Sequence, residues 1–215
     1  MRLSALYAAT PANIKHPYTF RTYPSPDPDL SPTIVEAVCA SMAVPTIFSP
    51  VKIETRSFVG GALGASNPTQ VLLNEAIAIF DKKDERKTRI AQIISLGSGA
   101  PPIMTAATMT DPQGVGQVMQ VMTADSEVLA RELSVRLFSN DAYIRFNVDR
   151  GMENVSVDDW SGLGEISNYT DEYVQRPGVT KDIDACLKRI RERIGTTTLW
   201  QISECSAQRL PLGIR

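Results

Sequence analysis

Hydrophobic and polar positions divide this chain into short strands and helices. Leu3–Ala8 and Tyr18–Tyr23 alternate, with aromatic or β-branched residues, at the period of a half-buried strand. Pro24, Pro26 and Pro28 follow, and prolines join neither a ladder nor a helix interior, so this stretch is a loop. Ser31-Pro32 predicts a helix start, with Ser as the cap and Pro in the first turn. Ile34, Val35, Val38 and Met42 give that helix its expected buried face, and Pro45 ends it. Thr46–Ile53 and Ser57–Val59 read as extended, with Gly60-Gly61 breaking the second run. Asn67-Pro68 opens another helix, expected to carry Val71, Leu72, Ala76 and Ile79 inward.

Further on, Ile90–Leu96 is a nearly continuous apolar run stopped by Gly97-Ser98-Gly99, the pattern of a central strand buried on both faces. Gln113–Phe138 has helical spacing through Val115, Val118, Met122, Leu129, Leu133 and Leu137, and its methionines read as core filler. Tyr143–Val148 alternates again. Lys181–Ile194 is the most regular helix, with Ile183, Leu187, Ile190 and Ile194 in one stripe. Arg189, Arg191 and Arg193 suit its C-terminal dipole, and Gly195 stops it. The mixed-sign run Asp81–Arg89 reads as a solvated connection. Strands alternating with helices predict a layered α/β domain.

Composition narrows the functions. A length of 215 residues, 43% hydrophobic and 21% charged with a net charge of −2, fits one globular domain without a basic footprint for nucleic acid. The longest apolar stretch, around Ala37–Phe48, is interrupted by Ser41 and Pro45 and falls short of the roughly 20 residues that cross a bilayer. No transmembrane segment is therefore expected. Cys39, Cys186 and Cys205 lie far apart without CxxC spacing, which predicts thiols in a reducing, cytoplasmic compartment rather than a disulfide framework or a zinc site. His16 is the sole histidine, so no histidine cluster can bind metal, and any Ser-His-Asp triad would have to use it. Its expected place is a solvated loop. Met1-Arg2 leads straight into the alternating Leu3–Tyr7, without the apolar core of a signal peptide.

Candidate chemistry concentrates at Phe58-Val59-Gly60-Gly61-Ala62-Leu63-Gly64-Ala65-Ser66-Asn67-Pro68. Glycines directly after a strand allow close approach of backbone or ligand. The order is not that of a dinucleotide fingerprint, and no GK[ST] follows as in a phosphate-binding loop. Ser66 and Asn67 are expected to cap the next helix. Asp149, Asp158 and Asp159 read as loop and cap residues.

Four motifs in order carry a resemblance. Ser41-Met42-Ala43-Val44-Pro45-Thr46-Ile47-Phe48-Ser49-Pro50, Phe58-Val59-Gly60-Gly61, Ser66-Asn67-Pro68 and Ile94-Ser95-Leu96-Gly97-Ser98-Gly99 resemble patatin-like phospholipases. There the pieces read approximately S-A-A-P-x-x-F-x-P, D-G-G or D-G-A, N-N-P and S-[IL]-G-T-G. Tyr143–Val148 and the Trp160…Thr170…Tyr173 spacing resemble the fungal branch of that family. The resemblance implies a three-layer α/β/α acyl hydrolase acting on lipid acyl esters or a membrane surface, with a Ser-Asp dyad and no metal or other cofactor. A serine on a G-x-S-x-G elbow would attack, an aspartate would take its proton, and a glycine-rich loop would hold the oxyanion.

Measured against that list, no G-x-S-x-G occurs in the chain, and Val59 stands at the dyad-aspartate position, where its side chain has no lone pair to accept a proton. Gly60, Gly61, Asn67 and Pro68 are implied to lie near the active-site mouth. The expectation is a patatin-like domain lacking its N-terminal elements over residues 1–150, with a mostly helical extension over 151–215 packed on it. Such a chain is expected to be catalytically inactive and prone to self-associate through an exposed sheet edge. The alternative is a non-catalytic lipid- or protein-binding module.

Overall fold

The computed structural model describes residues 4–24, 30–45, 47–80, 89–100, 115–137, 142–152, 155, 160–192, 195, 197–199 and 201, with side chains from 126 onward in the long helix. The class is α/β, as the alternating pattern predicts. Two compact units form. One holds mainly the residues up to Pro68, the other mainly Thr69–Ala100 and residues from Val128 onward.

In the first unit, β1 (Ala5–Thr10) pairs antiparallel with β2 (Asn13–Arg21) on one side and with β4 (Arg56–Gly60) on the other. A two-residue turn at Glu54-Thr55 joins β3 (Val51–Ile53) to β4, with Glu54 at φ 52°, as such tight hairpins require. The sheet order is β2-β1-β4-β3. β2 begins earlier than its aromatic alternation suggests, and it places His16 on an exposed strand rather than in a loop. At a sheet edge Pro17 costs no ladder bond, which is why this strand tolerates it.

Helix α1 (Ile34–Met42) starts two residues later than Ser31-Pro32 implies. Its cap is Thr33, whose hydroxyl accepts from the Glu36 N–H at 3.2 Å. The Glu36 carboxylate accepts in return from the Thr33 N–H and hydroxyl, each at 2.8 Å. This reciprocal box satisfies two amide donors that a helix start leaves open. The Thr33 backbone bond, then the hydroxyl bond, holds the Glu36 carboxyl below the usual glutamate range. A depressed folded-state pKa stabilises above the unfolded value and is lost as pH falls through the folded one. Loss of the hydroxyl cap in Thr33→Ala should cost about 1 kcal/mol near neutral pH, and removal of the hydroxyl bond to Glu36 should make the gap to the parent smaller in acid. Urea unfolding at both pH values measures this.

The buried face of α1 is the reverse of the expected one. Ala37 and Ala40 are buried, whereas Ile34 and Val35 are 79% and 70% exposed and Met42 also faces solvent. The reason is size complementarity. The sheet presents Phe20, Ile53 and Phe58 to this helix, and Tyr18, Phe20 and Phe58 form a ring cluster with centroids 5.1–5.4 Å apart. Only small side chains let a helix backbone approach so bulky a surface at native packing density.

In the second unit, α3 (Thr69–Phe80) turns Leu73 rather than Leu72 into the core, with Ile93, Leu133 and Leu137. The apolar run from Ile90 is not one central strand. It divides into β5 (Arg89–Ile90), paired with β8 (Thr197–Thr198), and β6 (Ile93–Leu96), paired in parallel with β7 (Tyr143–Phe146). Ile93 and Ser95 are buried, but Ile94 and Leu96 are exposed, so β6 is buried on one face only. α4 (Val115–Arg136), whose residues up to Glu127 group with the first unit, fits the spacing read from Gln113. A 3-10 turn at Trp160–Gly162 leads into α5 (Leu163–Val174), and α6 (Pro177–Glu192) begins with proline at its first position. Trp160 itself is exposed. Residues 25–29 and 81–88, Asp158, Asp159, Ile194 and Cys205 lie outside the described residues.

Candidate functional site

The glycine turn is built by two motifs that are well separated in the chain. β4 ends at Gly60, and the four-residue α2 (Ala62–Ala65) begins directly after Gly61. The Gly60 N–H donates to the Ala43 carbonyl at 2.7 Å, and the Gly61 N–H to the Ser41 carbonyl at 3.3 Å. Both amides thus satisfy carbonyls at the end of α1, where a helix leaves its last C=O groups open. A Cβ on Gly60 would lie 3.3 Å from the Ala43 carbonyl carbon and Val44 nitrogen, and one on Gly61 would meet the Tyr7 carbonyl oxygen. Gly61 has φ −65°, so close packing rather than a special backbone angle requires glycine here.

Val59 lies opposite Ala9 on β1, and both are buried, Val59 with 5% exposure. It points away from the aromatic face that holds Phe58, because neighbours on a strand alternate. Chemically this position offers only a branched alkyl group in a dry place. Asn67 is buried and donates from Nδ2 to the Ser126 carbonyl at 3.3 Å, while Pro68 is exposed.

Residues 6–73 match the family model of patatin-like phospholipases. The match runs from β1 through the glycine turn into α3, and it supports the patatin family and, at a coarse level, a lipid acyl-hydrolase relationship. No curated protein matches the chain. Three of the four resembling motifs fall inside this patatin-like stretch, and the structure joins the first two by hydrogen bonds.

The fourth motif lies outside the match, in the second unit. There Gly99 has φ 119° and donates its N–H to Asn147 Oδ1 at 2.8 Å, so its glycine is a backbone requirement. Asp149 is exposed and pairs with Arg176 at 2.5 Å. Cys39 is exposed and Cys186 buried. Among the described residues no three His, Cys, Asp or Glu side chains gather as a metal site, and no helix is long and apolar enough to cross a membrane.

A feature invisible in the sequence lies between the β6–β7 pair and the α5–α6 helices. It is a cavity of about 410 Å³, walled on the strand side by Ile94, Leu96 and Phe146. The α6 stripe is legible in the sequence, but periodicity does not distinguish a stripe that packs from one that lines a space.

Proposed function

We propose that this chain is a patatin-like, lipid-directed acyl-hydrolase scaffold that does not itself turn over acyl esters. Val59 carries the reading. A dyad base must accept the serine proton, and a buried valine at the end of β4 has no group to do so. One further point supports it: the chain contains no G-x-S-x-G. In this reading residues 1–150 carry the patatin-like part, of the fungal branch, and residues 151–215 a helical extension. Retained binding of lipid acyl groups, without hydrolysis, is the activity left to such a scaffold. Its exposed apolar α1 face favours self-association as well.

Assays with short- and long-chain p-nitrophenyl esters and with phospholipid vesicles test this. Release of product should stay at the buffer rate. Turnover proportional to folded protein and abolished by heat denaturation would overturn the proposal.

A further inference from the structure

We infer that the cavity in the second unit is a binding site for a single unbranched acyl chain. Its volume of about 410 Å³ lies within the roughly 300–1,000 Å³ of small-molecule sites, toward the lower end. Taking a methylene as about the size of a water, ~30 Å³ in the liquid, the space holds on the order of a dozen such groups. That suits one medium-length tail.

The chemistry of the wall points to the same occupant. α6 contributes Val179, Ile183, Cys186, Leu187 and Ile190, facing the apolar side chains of β6 and β7. Polar groups that line it bond to other groups of the protein. The Asn147 N–H donates to Tyr173 Oη at 3.3 Å, Asn147 Oδ1 accepts from Gly99, and Thr170 Oγ1 donates to the Ile166 carbonyl at 2.7 Å. Water entering such a space finds few groups to bond, and apolar walls that face an empty space forfeit dispersion contacts. An alkyl chain satisfies both conditions. Leu96, Leu187 and Ile190 line the cavity yet remain 76%, 43% and 49% exposed, so one side is open for entry.

The site uses no residue of the 6–73 stretch, and it does not depend on the acyl-hydrolase reading. Either can fail without the other, because one is read by ester turnover and the other by occupancy of this cavity.

Cys186 supplies a local reporter, and the exposed Cys39 an internal control. The full chain is alkylated with iodoacetamide, with and without dodecanoic acid below its micelle concentration, and each thiol is followed by mass spectrometry. Dodecanoic acid should slow modification of Cys186 at least fivefold and leave Cys39 unchanged. A parallel arm with 1-monododecanoylglycerol separates a free acid from an ester as the source of the chain, and slowing by either supports the site. Leu187→Trp, which fills the cavity from its open side, should abolish the protection while the circular dichroism spectrum is retained. If that variant misfolds, Ile190→Gln should weaken protection at least threefold. Equal slowing at both thiols, no slowing with either ligand, or full protection in a folded variant would overturn the inference.

Discussion

Val59→Asp should destabilise the protein by about 3–5 kcal/mol near neutral pH, the range for an uncompensated buried charge. The position is almost fully buried, and its cross-strand neighbour is Ala9. A carboxylate placed there leaves water without a designed partner, so burial should raise its pKa. A carboxyl whose folded pKa is raised is penalised least below its unfolded value, and the penalty grows as pH rises above it. The gap in urea midpoint between variant and parent should therefore narrow from about pH 7 to about pH 4.5. Val59→Asn, which does not titrate, should destabilise without that pH dependence. Equal midpoints for Val59→Asp and the parent at both pH values would mean that water reaches the end of β4. On the proposed reading the substitution should not create ester turnover, because the given sequence offers no G-x-S-x-G serine for an aspartate to activate.

Gly61→Ala should cost about 3 kcal/mol, the upper end for forcing atoms into a packed site. The added methyl would meet the Tyr7 carbonyl oxygen and lie 2.6 Å from its carbon, both in the backbone of β1. No rotamer can relieve a clash with a strand backbone, so β1 and β4 must separate where Ala8 faces Gly60 and Ala9 faces Val59. The control is Gly164→Ala in α5, where an added Cβ meets nothing within 4 Å. There the lower chain entropy of alanine should leave stability unchanged or raise it by about 0.5 kcal/mol. A thermal or urea series on both variants checks the contrast, and similar stabilities for the two would contradict the packing account.

These two variants probe opposite kinds of legibility. That Gly60-Gly61 ends a strand was readable from local chemistry, since such a pair rarely continues a ladder. What the glycines do was not readable. Their amides close the end of α1, and that contact is set by the crossing of β4 and α1. Val59 could be singled out by resemblance, and its burial depends on β1 lying beside β4.

Helix α1 shows the same limit more sharply. Its apolar period identified a helix, and Ile34, Val35, Val38 and Met42 were the obvious inward choice. The sheet beneath is so rich in aromatic bulk that Ala37 and Ala40 face it instead. The run Ile90–Leu96 was similarly apolar enough for a central strand, yet β5 and β6 take different partners and β6 gives one face to a cavity.

The sequence by itself determined the α/β class, the approximate places of its helices and strands, and the turn glycines. These follow from local chemistry and residue identity. Only the tertiary structure decided which side of α1 is buried, which strands pair, where the Gly60 and Gly61 amides point and that the α6 stripe lines a space. Each of those depends on the size and shape of the surface an element meets, and an element's own periodicity carries no information about its neighbour.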